Sequence, residues 1–135
     1  MRLFLLMRER RFSYNKREKL KSRKQLNRLF AKGKTFIVFP VKVFYELNIE
    51  QDNILKTGVG VSRKNFKKAV QRNRIKRLLR EAYRTGKTEL YDYLTANKKK
   101  IALFFLYIDK NEPDYTLLTQ AMQHAITNLI NEVAS

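Results

Sequence analysis

Between residues 41 and 47 apolar and polar side chains alternate. Val41, Val43, Tyr45 and Leu47 share one side of an extended chain, and Lys42, Phe44 and Glu46 share the other. A period of two predicts a half-buried strand. Leu55, Thr57, Val59 and Val61 alternate in the same way with Lys56, Gly58, Gly60 and Ser62. The polar stretch 48–53 between them reads as a loop, so the two strands are predicted to pair as a hairpin. Residues 35–39 form an aromatic and β-branched run that meets Pro40, a residue tolerated at a strand start or on an edge. Residues 101–108 are apolar without a break, the pattern of a buried strand.

Elsewhere the period lengthens to that of a helix. Ser22 suits an N-cap, Leu26, Leu29 and Phe30 then share a face, and Gly33 supplies a stop, which predicts a helix over 22–32. A longer helix is predicted over 65–85, ending near Gly86. On a wheel of about 100° per residue, Ile75, Leu78, Leu79 and Ala82 fall on one arc. Asn73, Lys76, Arg77, Arg80 and Arg84 fall nearly opposite, with Arg72 and Arg74 on the flanks. The apolar phase slips between Phe66/Val70 and Ile75/Leu79, so the first turns should bury a different side. Residues 87–97 read as a second, weaker helical segment. Asp114 is a candidate N-cap for a last helix whose inner face holds Leu118, Ala121, Ala125, Leu129 and Ile130. The order α-β-β-β-α-β-α predicts one α+β domain with a mixed sheet over 16–135, preceded by a basic N-terminal extension over 1–15.

Charge changes this picture more than composition does. The chain has 135 residues, 30 Lys+Arg, 12 Asp+Glu and a net charge of +18. Such an excess repels itself and favours anionic partners. High charge also marks disordered chains, but here 44% of residues are hydrophobic and they fall in periodic blocks. There is no cysteine, which removes disulfides and thiolate metal sites. Residues 1–7 look like the start of a signal peptide, yet Arg8, Glu9, Arg10 and Arg11 follow at once. No apolar run approaches the ~20 residues of a membrane span, so a cytoplasmic protein is expected. Met7 is an alternative start.

Within 69–81 a single carboxylate, Glu81, faces Arg72, Arg74, Lys76, Arg77 and Arg80. A solvated surface or a membrane-facing helix also carries charge runs. The second lacks large exposed aromatics beside the cations here. The preference for arginine, with its bidentate grip on phosphate, points to nucleic acid. Phe44 shares a strand face with Lys42, and Phe30 ends the first helix. Together they offer stacking surfaces for unpaired bases, or Phe30 is simply core. Other motifs fail on spacing. Gly33-Lys34-Thr35 and Gly86-Lys87-Thr88 have Arg28 and Glu81 where a phosphate loop needs glycine. Gly58-Val59-Gly60 is followed by Arg63 where a dinucleotide fingerprint needs a third glycine. His124 is the only histidine and has no ligand or acid partner at useful spacing. The acids are scattered, so no catalytic group or metal site of the protein's own is expected.

Val61-Ser62-Arg63-Lys64, followed by Ala69-Val70-Gln71-Arg72-Asn73-Arg74-Ile75-Lys76-Arg77-Leu78-Leu79-Arg80-Glu81, resembles the signature of the bacterial ribonuclease P protein subunit. The resemblance implies an α/β sandwich like domain 2 of ribosomal protein S5, with a left-handed crossover. It implies two partners, the ribonuclease P catalytic RNA and precursor tRNA, whose 5′ leader is removed. The RNA would carry the chemistry and its Mg²⁺, with no cofactor bound by the protein alone and no membrane or obligate protein partner. By position, Arg63, Lys64, Lys67, Lys68, Arg72, Asn73, Arg74, Lys76, Arg77 and Arg80 would bind the catalytic RNA. Phe30, Lys42 and Phe44 or Tyr45 would line a cleft for the leader. Leu26 stands there where many members carry phenylalanine. Rival readings are a structural RNA-binding protein, such as a ribosomal component, and a stand-alone metal-dependent nuclease.

Overall fold

A computed structural model describes residues 23–47 and 54–134. The elements run α1 (Arg23–Lys32), β1 (Lys34–Val38), β2 (Val41–Leu47), β3 (Leu55–Val61), α2 (Ala69–Ala96), β4 (Ile101–Tyr107) and α3 (Tyr115–Ala134). This is the predicted α+β order. Ser22, the extension 1–15 and the loop 48–53 lie outside the described residues.

The four strands form one mixed sheet in the order β1-β2-β4-β3. β2 pairs antiparallel with β1 and β4, and β3 runs parallel to β4. The predicted hairpin between β2 and β3 therefore does not form. Alternation shows which face a residue takes but not which strand lies beside it. β4, apolar on both faces, takes a central place between β2 and β3, where the sheet buries it most completely. A parallel β3–β4 pair needs a long crossover, and α2 supplies it.

α2 is also one helix of 28 residues, not a basic helix and a weaker successor. Gly86 does not stop it. A Cβ at Gly86 would stand 2.9 Å from Ile126 Cδ1, so the missing side chain marks the close crossing of α2 and α3. The helix runs on to Ala96 and closes with Lys98 at φ 53°. There the Lys99 N–H donates to Leu94 O at 3.0 Å and the Lys98 N–H to Thr95 O at 3.3 Å. That is the Schellman pattern, with lysine in the place glycine usually takes. At the start of α3, Asp114 Oδ1 accepts from the N–H groups of Thr116 (2.9 Å) and Leu117 (3.2 Å), the predicted cap.

Two cores of unequal size result. α2 and α3 cover one sheet face, where Val43, Tyr45, Leu103 and Phe105 meet Leu79 and Met122. Thr57 is buried in that layer and donates to the Tyr83 hydroxyl at 2.8 Å, which satisfies it. α1 alone lies on the other face, over a small cluster of Leu29 and Phe104 with Leu26, Phe44 and Leu106 around it. The turn from α1 to β1 is tight. A Cβ at Gly33 would stand 2.4 Å from Leu29 O and 3.1 Å from Tyr45 O, so backbone proximity, not a left-handed conformation, requires glycine.

Candidate nucleic-acid interface

The cationic surface begins in the loop after β3. Asn65 anchors this loop by donating its side-chain amide to Ile108 O (3.2 Å) and Asp109 O (3.4 Å). Phe66 is buried against the Tyr107 ring at 6.1 Å. Phe66 thus belongs to the loop and not to α2, which explains the slip in apolar phase. Val70, just inside the helix, is exposed. Arg63, Lys64, Lys67 and Lys68 stand out around the anchored loop, all exposed.

Along α2 the predicted cations divide by partner. Arg72 folds back, its Nη1 donating to Phe66 O (2.9 Å) and Lys67 O (2.6 Å). Arg74 pairs with Glu112. Arg84 pairs with Glu81, and that hydrogen bond holds the Glu81 carboxyl below its usual range. Asn73, Arg77 and Arg80 are exposed and Lys76 is half-buried. Among the described residues no acid pairs with Lys76, Arg77 or Arg80. The uneven placement of charge adds to this. The first turn of α2 carries no acid, and its N-cap, Lys68, makes no side-chain cap bond. The positive end of the helix dipole and the cations therefore coincide, a self-repelling arrangement that an external anion relieves.

A second surface lies on the opposite side of the sheet, beneath α1. The Phe30 ring, 45% exposed, sits 5.0 Å from both Phe44 and Phe104, edge to face with each. Phe44 and Phe104 are 6.3 Å apart. Lys42 Nζ lies 5.1 Å from the centre of the Phe44 ring, and Leu26 packs at the margin. Arg28 and Glu46 close one edge with an ion pair at 3.0 Å. The floor beside Phe104 is made of glycine. Gly58 is its register partner on β3, and a Cβ at Gly60 would stand 2.6 Å from Phe104 Cζ. The result is a shallow aromatic cleft in which Phe30 is exposed and Phe44 half-buried, with Phe104 buried behind them and a cation at the lip, able to meet flat unsaturated rings.

The structure removes Tyr45 from this cleft. Alternation sends it through the sheet to the α2–α3 core, 4% exposed, with its ring 6.0 Å from Phe36. Burial, then the nearby Glu132 charge, raises its phenol above the ordinary value. Phe104 is the residue that sequence reasoning missed. The unbroken apolar run of β4 hides its faces. The useful signal was Gly58 and Gly60 on one face of β3, which mark room for a large neighbour. Among the described residues no group of His, Cys, Asp or Glu is placed to hold a metal ion, and no helix is long and apolar enough to cross a membrane.

Fold and surfaces together define a small, basic α+β domain that presents a cationic helix on one side of its sheet and an aromatic cleft on the other. A family model described as Ribonuclease P matches residues 14–129. The chain belongs to the ribonuclease P protein family, the protein component of a tRNA-processing endoribonuclease that works with the ribonuclease P RNA. It is 36% identical over 125 residues to the ribonuclease P protein component of Porphyromonas gingivalis, covering 92% of this chain and 91% of that one. It is 30% identical over 128 residues to that of Chlorobium phaeobacteroides, covering 87% and 88%. Its fold is similar to that of a Staphylococcus aureus RNase P protein mutant with defective mRNA degradation activity. The TM-score is 0.66 at 20% identity, over 83% of this chain and 87% of that one.

Proposed function

We propose that this chain grips the ribonuclease P RNA through the exposed side of α2 and holds the 5′ leader of precursor tRNA in the cleft under α1. Lys76, Arg77 and Arg80, lacking acid partners among the described residues, carry the reading. They and Asn73 lie on one side of α2, with Arg63, Lys64, Lys67 and Lys68 beside its start. Each phosphate they neutralise releases counterions, so binding weakens steeply with salt. Arg72 acts differently. Its bonds to Phe66 O and Lys67 O hold the basic loop against the helix. Arg74 reaches phosphate by exchanging it for Glu112.

In the cleft, the exposed Phe30 and the half-buried Phe44 give unpaired bases faces to stack on, the buried Phe104 backs both rings, and Lys42 meets the backbone. The chain supplies no reacting group. Cleavage and its Mg²⁺ belong to the RNA, and the protein lowers repulsion between two RNAs and raises substrate affinity. The test is cleavage of precursor tRNA by the cognate RNA at low Mg²⁺, with and without this protein. Stimulation supports the reading, and its absence ends it. Phe44→Ala in the assembled holoenzyme should weaken precursor tRNA binding about tenfold, the worth of one stacked base, and leave mature tRNA binding unchanged.

A further inference from the structure

Where the end of β1 meets the start of α3, a cavity of about 460 Å³ opens on the α2–α3 side of the sheet. Its apolar walls include Val38, Phe39, Leu117 and Leu118, and Asp109, Glu112, Asp114 and His124 also line it. Phe39 is 65% and Leu117 62% exposed, among the most exposed large apolar side chains of the described residues. Among the described residues no lysine or arginine lines it, although the whole chain carries 30. A site that gathers carboxylates around bare apolar walls, on a chain of net charge +18, is built for something both cationic and apolar. The carboxylates keep capacity for it. Asp114 caps α3, Glu112 pairs with Arg74, and Asp109 Oδ1 accepts from the Asn111 N–H at 3.2 Å. A carboxylate accepts about four hydrogen bonds, so each has places left.

We propose that this corner is the docking site of the chain's own segment Arg2–Phe12, which lies outside the described residues. Its sequence, Arg-Leu-Phe-Leu-Leu-Met-Arg-Glu-Arg-Arg-Phe, has the chemistry the corner asks for, an apolar run flanked by arginines. The ribonucleoprotein reading leaves it without a role, and the proposal does not depend on that reading. The path of the chain supports it. Gly33, after the end of α1, sits against Tyr45 O, Phe30 covers Phe44 and Phe104, and Leu26 joins the cluster with Leu106. α1 therefore starts toward the sheet end that carries Pro40 and Tyr107, the end where the cavity opens. Residues 13–22 link Phe12 to Arg23 and reach about 33 Å when extended, enough to pass round that end of the sheet. Leu3, Phe4, Leu5 and Leu6 would cover Phe39 and Leu117 while Arg8, Arg10 and Arg11 meet the acids.

The test is photocrosslinking of the full RNA-free chain with benzoylphenylalanine in place of Leu5, mapped by mass spectrometry. Expected are crosslinks within one chain to residues 38–40 or 117–124. They should fall at least fivefold in a chain also carrying Leu117→Asp, an exposed change at the start of α3 that leaves the fold intact. Crosslinks elsewhere in the chain, no crosslinks, or crosslinks indifferent to Leu117→Asp would overturn the proposal. Crosslinks to this corner of a second copy would also overturn it, assigning the site to a partner molecule.

Discussion

Lys98 and Tyr107 show how much one position can carry. Lys98 ends α2 with a positive φ, which costs an L-residue about 1 kcal/mol and glycine almost nothing. Lys98→Gly keeps the two closing hydrogen bonds and should raise stability by about 0.5–1 kcal/mol, seen as a higher urea midpoint at unchanged slope. Tyr107 donates its hydroxyl to Asn111 O at 2.6 Å. Burial, and then the charges of Asp109 and Glu112, push its phenol up from 10.0 to about 12. The unfolded chain ionises first, so this contribution is complete below about pH 10 and fades as pH rises toward 12. Tyr45 is raised in the same direction. Tyr107→Phe should therefore flatten the alkaline fall in stability in part. Residue faces were legible from the sequence. Alternation alone put Phe44 and Tyr45 on opposite sides of β2, and only the choice of side needed the structure, because both sides of that sheet pack against helices.

At the scale of elements, periodicity located the strands and helices and failed on their neighbours. Nothing in β2 or β3 says that β4 comes between them, since pairing is decided by which strand has two apolar faces to hide. Nor does Gly86 announce whether it breaks a helix or makes room for Ile126; the answer depends on α3, a separate element far along the chain. Gly60 has the same ambiguity and gives a test. By strand propensity alone valine should be better there. Its Cβ would instead collide with Phe104, so Gly60→Val should cost about 1–3 kcal/mol in urea unfolding, the usual range for overpacking. The displaced ring should also weaken precursor tRNA binding by the holoenzyme, while a substitution at the exposed Val70 does neither.

For the whole molecule, the sheet separates two jobs. Helices α2 and α3 fill one face with the larger core and leave a cationic side of α2 outward. The other face is covered in part by α1, which buries Phe104 and leaves Phe30 and part of Phe44 within reach. The cations of α2 were plain in the sequence, but their division was not. Glu112 and Glu81 take Arg74 and Arg84 out of the free set, and Arg72 turns to the backbone. Glu112 and the carbonyls that hold Arg72 lie in loops whose approach no local pattern reveals. What remains, Lys76, Arg77 and Arg80, makes the central claim sharp. The affinity of the cognate ribonuclease P RNA should be measured against salt for the native chain and for Arg77→Ala/Arg80→Ala. With two fewer phosphates neutralised, the slope of log affinity on log salt should become shallower by about 1.5 and affinity should fall at every salt concentration. An unchanged slope and affinity would mean that the exposed side of α2 does not hold the RNA.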